Sequence, residues 1–367
     1  MKLTLNRKAL QQAWKTAAAA VPSRTPKDIL KSVKCEATGG VITLTATDSE
    51  VTIRVKVPGT ITKEGACLLP ADRFGSFLSA AIAEDVLIST LDSGVVVECG
   101  RSKVKLQTAK VDEYPVSSLE LSPIVTLPAE RLQKSVAFSM TAMDENSTRY
   151  ALGGVYFGVK DGRLVVAATD SRRMTIELLV PCPEFRGVVV PARAAACLKS
   201  AGMSGDVSVS VSETAIAFES SDVVIDCRVL EGKWPEMGLT FFNGGRSFSK
   251  ARIAAGIWCG LWGQVKATLD PESMGADCEF GESITLRHRG PAGESEAVSA
   301  CEFSGERHVM RFAVDLVIPT SKAFDPTDMM EIEAANQSAD DADDPSVFRA
   351  KCGDRMFLLM SMAKEEE

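Results

Sequence analysis

Histidine is nearly missing from this chain. Only two occur in 367 residues, His288 and His308. His288 lies in Arg287-His288-Arg289-Gly290 and His308 follows Arg307, and neither stands in a triad order or a metal-ligand spacing. The commonest general base and metal ligand is thus largely absent. There is no G-x-x-x-x-G-K-[ST] phosphate loop and no G-x-G-x-x-G; Gly232-Lys233 is followed by Trp234, not Ser or Thr. The ten cysteines (Cys35, Cys67, Cys99, Cys182, Cys197, Cys227, Cys259, Cys278, Cys301 and Cys352) form no C-x-x-C pair. That excludes zinc-ribbon and thioredoxin readings and leaves free buried thiols in a reducing compartment. Asp340, Asp341, Asp343 and Asp344 are dense but lack EF-hand spacing and its central glycine, so they read as a solvated loop. No metal, no cofactor and no catalytic residue is expected.

Long apolar runs are also lacking. None approaches the ~18 residues of a membrane helix. Gln11, Gln12 and Lys15 interrupt an alanine-rich start that superficially resembles a signal peptide. The expectation is a cytoplasmic, soluble protein with no membrane partner. Net charge is −8 and the pI about 5.2, whereas a simple basic nucleic-acid binder has a pI above about 9. A basic surface confined to one face remains compatible with that sum. The hydrophobic fraction of 45% and charged fraction of 25% are those of a globular protein, and the length suits two or three domains.

What is present is repetition. Ala46-Thr47-Asp48-Ser49 returns as Ala168-Thr169-Asp170-Ser171, Leu69-Pro70-Ala71-Asp72-Arg73 as Val190-Pro191-Ala192-Arg193, and Glu113-Tyr114-Pro115 as Lys233-Trp234-Pro235, at a spacing of roughly 120 residues. This period far exceeds the ~20–50 residues of solenoids and propellers, so each copy is expected to be a small domain: 1–120, 124–240 and 246–367, with linkers near 116–125 and 236–248.

In the first copy, Leu10, Ala13, Trp14, Ala17, Ala18 and Val21 form one helical stripe, with Lys8, Gln12 and Lys15 opposite. Strands follow at 40–46 and 51–57, and the Asp48-Ser49 turn joins them. Pro70 opens a second helix with Phe74, Phe77, Leu78 and Ile82 inward, and strands at 86–90, 94–99 and 102–107 close the unit. The second copy has the same grammar: a helix after Pro128, strands at 152–158, 163–169 and 173–179, a helix at Pro191, and strands at 206–210, 214–218 and 222–228. In the third, a helix is expected near 250–262, strands at 283–288, 295–303 and 308–313, a helix within 313–324 that Pro319 should kink or delay, and strands at 329–334, 346–350 and 355–362.

Thr148-Arg149-Tyr150-Ala151-Leu152-Gly153-Gly154-Val155 and Ala168-Thr169-Asp170-Ser171-Arg172-Arg173-Met174 resemble the central-domain signature of the bacterial DNA polymerase III beta subunit family, the sliding clamps. Val189-Val190-Pro191-Ala192-Arg193, Glu231-Gly232-Lys233-Trp234-Pro235 and Phe357-Leu358-Leu359-Met360-Ser361-Met362 match in the same order. The resemblance covers the whole sequence and is weakest between about 262 and 308.

The resemblance implies an α+β fold of three similar clamp-type domains, each with two helices packed on antiparallel sheet, forming a ring as a head-to-tail homodimer. It implies a non-enzymatic processivity factor that encircles double-stranded DNA independently of sequence. Such a ring needs only modest, exchangeable contacts to phosphate, which the inner helices would supply through Lys8, Lys15, Arg73, Lys134, Arg193 and Lys199. Arg24, Asn146, Arg149 and Tyr150 match positions that meet DNA in the family. The implied partners are DNA polymerase, the clamp loader and other proteins carrying short clamp-binding peptides. Leu152, Thr169, Ser171, Arg172, Arg173, Met174, Pro235, Leu239, Thr240, Leu358, Met360, Ser361 and Met362 match the peptide pocket, with Arg173 expected to orient the peptide backbone or an acidic group. Departures are Ala151, where some members carry an aromatic residue, Ser361 for a usual proline, and Leu239 where an arginine is common. The alternatives are a divergent paralogue with a restricted partner set in repair or translesion synthesis, and a repeat-built enzyme with an unrecognised site.

Overall fold

The computed structural model describes residues 1–91, 94–115, 121–145, 147, 150–232, 234–235, 248–269, 274–335 and 347–362. The protein is α+β, with antiparallel sheets and six α-helices among the described residues: α1 (Arg7–Ala18), α2 (Ala71–Ala80), α3 (Ala129–Met140), α4 (Ala192–Ser200), α5 (Ala255–Val265) and α6 (Val314–Ser321). Its contacts cluster into two compact units, Met1–Lys134 with Arg193–Leu230, and Ser135–Ala192 with Glu231–Glu367.

The first unit holds two sheets. The five-stranded one runs, in spatial order, Gly59–Lys63, Lys2–Asn6, Asp85–Leu91, Gly94–Cys99, Ser102–Leu106. The eight-stranded one runs Pro123–Pro128, Asp206–Val211, Ala215–Glu219, Val223–Arg228, Val51–Val57, Val41–Thr47, Ser32–Thr38, Gly65–Pro70. Strands of the first and second repeats meet side by side in it, with Val55 opposite Val223 and Val51 opposite Cys227. An ion pair between Arg54 and the buried Asp226 crosses this seam. Trp14 of α1 packs against Phe74 of α2, ring centroids 4.4 Å apart.

The second unit repeats the plan. Its nine-stranded sheet runs Val188–Pro191, Gly154–Lys160, Arg163–Thr169, Arg173–Pro181, Arg355–Met360, Val347–Cys352, Met329–Ala335, Ser249–Ala254, Glu302–Ser304. Second-repeat and third-repeat strands join at Arg173–Pro181 and Arg355–Met360, with Glu177 opposite Arg355 and in an ion pair with it at 3.1 Å. A four-stranded sheet follows in the order Gly293–Ala300, Ser283–Gly290, Gly275–Phe280, His308–Ala313. The core is aromatic. Phe348 lies 5.7 Å from Trp258, 5.2 Å from Phe312 and 6.1 Å from Phe357 between centroids.

Helix starts in all three repeats are clipped by backbone hydrogen bonds. Arg7, Ala129 and Ala255 N–H donate to the carbonyls of Glu84, Gly205 and Asp328, and Ala192 and Val314 N–H to those of Gly153 and Met274, over 2.7–3.2 Å. Each acceptor directly precedes a strand, so each clip satisfies an orphan helix donor and fixes the helix to its sheet.

Several expectations change. Residues 249–254 form a strand, and the helix expected near 250–262 is Ala255–Val265. Ser249, Ala251 and Ile253 turn inward at a period of two, which the helical spacing of Ile253, Ile257, Trp258 and Leu261 had masked. The strand expected at 295–303 is split into Gly293–Ala300 and Glu302–Ser304. α2 ends at Ala80, leaving Ile82 90% exposed instead of inward. Pro319 sits inside α6 without delaying it, at a solvent-facing position two residues from the helix end. Ser32–Thr38 and Gly275–Phe280 are strands that the sequence pattern does not announce. Most of the expected linkers and the acidic segment lie outside the described residues. Every cysteine is a free thiol, and seven of the ten are buried.

Candidate functional site

The candidate site is built on three adjacent central strands of the nine-stranded sheet in the second unit, Arg163–Thr169, Arg173–Pro181 and Arg355–Met360. Arg163–Thr169 and Arg173–Pro181 form a hairpin whose turn is closed by side chains. Thr169 Oγ1 donates to Arg173 O at 2.7 Å, and Asp170 Oδ1 accepts from the N–H groups of Arg172 and Arg173, both at 2.9 Å. Ser171 adopts φ 74°, a left-handed conformation that this turn imposes on a non-glycine residue. Beyond the hairpin, Met174 pairs with Leu358 and Arg173 with Leu359. The Met360 N–H donates to Arg172 O and the Met362 N–H to Arg311 O, each at 2.8 Å, which continues the pairing past the strand end.

Period-two geometry then sorts the side chains. Val165, Ala167, Met174 and Ile176 form an apolar cluster, with Tyr156, Leu178, Trp234, Met356 and Leu358 packed around it. Trp234 stacks on Tyr156, centroids 4.8 Å apart and planes 16° apart. A Cβ at Gly158 or Gly187 would collide with the Tyr156 phenol, so these two glycines make the slot in which that ring lies. Burial, then the nearby Glu184, push the Tyr156 hydroxyl pKa up. Met356, Leu358, Met360 and Met362 alternate along the last strand and its extension. Met360 is 50% and Met362 39% exposed, so the stripe runs from the cluster out to solvent.

The sequence-matched pocket residues do not all come together on this face. Met174, Leu358, Met360, Met362 and Pro235 belong to this face or adjoin it. Thr169 and Arg173 are used internally. Arg173 Nε pairs with Asp170 Oδ2 at 2.9 Å and Nη1 donates to Leu316 O of α6 at 3.0 Å, with only 12% of its side chain exposed. Arg172 is exposed and carries no ion pair among the described residues. Leu152 is buried, Ser171 exposed and Ser361 half-buried. Leu239 and Thr240 lie outside the described residues. Sequence reasoning did not single out Tyr156, Val165, Ala167, Ile176, Leu178 and Met356; the alternation of 163–169 with 173–179 carried that signal.

The cationic candidates of the first unit are Lys8, Lys15, Arg24, Arg73, Lys134 and Lys199, all exposed. Lys134 pairs with Glu130 at 2.6 Å. Arg193 is committed, to Asp48 at 2.6 Å and to the carbonyls of Ala20 and Val21 at 3.1 Å. Asn146, Arg149 and the Tyr150 side chain lie outside the described residues. In the third repeat, α5 turns Ile257, Gly260, Gly263 and Gln264 to solvent and carries no cation.

This geometry of repeated clamp-type domains agrees with three comparisons. The family models of the DNA polymerase III beta subunit match twice, the N-terminal domain over residues 1–119 and the central domain over 126–236. The protein is 28% identical over 251 residues to the beta sliding clamp of Streptomyces coelicolor (66% of this chain, 67% of that protein). It is 26% identical over 231 residues to that of Staphylococcus aureus (59% and 61%), so that match spans less than two thirds of the relative. Among solved structures, the Bacillus subtilis DNA polymerase sliding clamp superposes with TM-score 0.88 at 21% identity, covering 99% of both chains. A Pseudomonas aeruginosa DnaN sliding clamp bound to griselimycin superposes with TM-score 0.87 at 19% identity, covering 99% of this chain and all of the other. The chain belongs to the DNA polymerase III beta subunit family. Among the described residues, no helix is long and apolar enough to cross a membrane, and no group of three or more His, Cys, Asp or Glu is placed to hold a metal ion.

Proposed function

We propose that the protein is a sliding clamp that acts as a head-to-tail homodimer, encircles duplex DNA without reading its sequence, and tethers DNA polymerase and other proteins carrying short clamp-binding peptides. Three domains, at 1–120, 124–240 and 246–367, would be its repeating parts. The observation that carries this reading is the apolar face of Met174, Leu358 and Trp234 with its exposed Met360 and Met362. Methionine offers a polarizable surface that adapts to several peptides. The related clamp solved with griselimycin supports a ligand-accepting surface on this fold. The exposed Lys8, Lys15, Arg24, Arg73 and Lys199 supply phosphate contacts that exchange readily, as sliding requires. No step of chemistry is assigned to any residue.

The test is topological. The protein, loaded onto nicked circular DNA, is retained, and cutting the circle releases it. Retention on linear DNA with free ends overturns the reading. A fluorescent clamp-binding peptide binds the parent, and Met360→Ala with Met362→Ala weakens it by roughly tenfold or more. Unchanged peptide affinity removes this face from the proposal.

A further inference from the structure

Sulfur reaches the surface of this protein through methionine more than through cysteine. Seven of the ten thiols are buried. The other three, Cys259, Cys301 and Cys352, are half-buried, and desolvation raises the pKa of each. A thiol meets an oxidant as its thiolate, so all ten are poor targets. A thioether has no proton to lose, and its exposure governs its access to an oxidant. Among the described residues four methionines are exposed, Met274, Met329, Met360 and Met362. Two of the four lie on the apolar face of the candidate site.

Strand geometry holds these two sulfurs outward. Phe357 and Leu359 are buried, and Leu358, Met360 and Met362 alternate with them on the other side. The Met360 and Met362 N–H groups are fixed to Arg172 O and Arg311 O, each at 2.8 Å. Neither side chain turns inward without breaking a main-chain bond. Met362 Sδ lies against the backbone at Gly275, where an added Cβ would come within 3.1 Å of it. Met360 is the more exposed of the two, so its sulfur is the first in reach. Met174, Met310 and Met330 are buried. An oxidant that reaches the face therefore spares the methionines packed inside.

We propose that Met360 and Met362 are a modification site, at which hydrogen peroxide converts the two thioethers to sulfoxides and so releases a bound peptide. The inference rests on the peptide-face reading and adds its regulation. A sulfur lone pair attacks one peroxide oxygen, the O–O bond breaks and an S–O bond forms. The second oxygen takes the proton of the first and leaves as water. Sulfur gives up two electrons, and the peroxide accepts them. The product is a polar acceptor where an adaptable apolar surface stood. A docking peptide must strip water from that oxygen, and an apolar peptide side chain gives it no hydrogen bond in return. The change is reversible, because methionine sulfoxide reductases remove the oxygen from either epimer.

The experiment titrates a fluorescent clamp-binding peptide before and after hydrogen peroxide, with peptide mass mapping to place each oxygen. Sulfoxide forms at Met360 first and at Met362 next, and Met174, Met310 and Met330 stay unmodified. Circular dichroism is unchanged, so the protein remains folded. Oxidation of both residues raises the peptide dissociation constant of the parent by roughly tenfold or more, and a mixture of the two reductase types restores it. Each variant is read as its own treated-to-untreated ratio. That ratio stays near one for Met360→Leu/Met362→Leu, and Met329→Leu, outside the face, keeps the full ratio of the parent. A parent that holds its affinity with both sulfoxides formed overturns the proposal. So does a tenfold ratio in the double leucine variant, or a reduction of both sulfoxides that restores no affinity. A parent that binds no peptide before treatment overturns the peptide-face reading itself.

Discussion

Thr47-Asp48-Ser49 and Thr169-Asp170-Ser171 close their hairpins by the same bonds. In each, the threonine hydroxyl donates to the carbonyl four residues on, one carboxylate oxygen accepts two backbone N–H groups, and the serine sits at positive φ, 83° and 74°. The two part at the second carboxylate oxygen. Asp48 spends it on Arg193, a residue of α4 that also ties down the end of α1, and Arg193 keeps 40% of its side chain exposed. Asp170 spends it on Arg173, its own strand neighbour, which reaches α6 and is 12% exposed. A turn that recurs in sequence therefore recurs in backbone, while its outward bond is set by whichever helix it faces. The lesson for the site is direct. Arg173 reads as a peptide-binding arginine by position, yet its Nε and Nη1 are engaged within the fold, and Arg172 is the exposed cation beside the apolar face.

Removing the aspartate breaks this comparison most strongly. Asp170→Ala leaves a largely buried guanidinium and two backbone donors unpaired and lowers stability by about 3 kcal/mol, against about 1.5 kcal/mol for Asp48→Ala, whose arginine reaches water. Urea unfolding of both variants measures the difference, and equal losses would show that exposure of the arginine does not matter. Next is the arginine pair. Arg173→Ala costs about 2 kcal/mol of stability, while Arg172→Ala stays within about 0.5 kcal/mol and weakens binding of an acidic peptide. The reverse assignment in a combined melt and binding assay sinks this division of roles.

The exit aromatics extend the contrast to pH. Tyr114 is buried and donates to Ser32 O at 3.1 Å, and burial pushes its hydroxyl up to about 12. Its repeat counterpart, Trp234, cannot ionise. The unfolded protein loses the tyrosine proton near pH 10 and the folded protein near 12, so the unfolded state holds fewer protons in that window. Stability from the neutral phenol is full below about 10 and falls toward 12, by on the order of 2 kcal/mol. Tyr114→Phe flattens that fall in denaturation curves taken at pH 9 to 12; an unchanged slope would assign it elsewhere. The smallest effect belongs to the serines. Ser49→Gly and Ser171→Gly each relieve a left-handed non-glycine residue at the entropic disadvantage of glycine, for a net change of about 0.5 kcal/mol that is equal in the two turns. A thermal melt that separates the two variants would mean the turns are less alike than their bonds.

Repetition, the stripe of α1, the Asp-Ser turns and the proline-led helices were legible because each depends on residue types with strong local preferences. Ser32–Thr38 was not, since its inward positions are Val33, Cys35 and Ala37, two of them small, and an alternation of small residues gives little contrast against Lys34 and Glu36. The exposed methionines Met360 and Met362 were legible from their order at the end of the chain's last strand. The slot beneath Trp234 was not, because it depends on two glycines distant in sequence, Gly158 and Gly187, meeting one tyrosine ring. The use of Arg173 was hidden for a related reason: its acceptor is a backbone carbonyl, Leu316 O, and a carbonyl has no letter in the sequence.

The helix clips share that anonymity. A joint between one backbone N–H and one backbone carbonyl constrains position but asks for no particular side chain. Natural substitution passes over it unseen. The third repeat has shed the Asp-Ser turn, the cationic helix face and the aromatic-proline exit, yet Ala255 and Val314 still reach Asp328 and Met274 as their counterparts do in the earlier repeats. A joint made of backbone alone thus holds these helices in place while α5 presents Ile257, Gly260, Gly263 and Gln264 to solvent instead of cations.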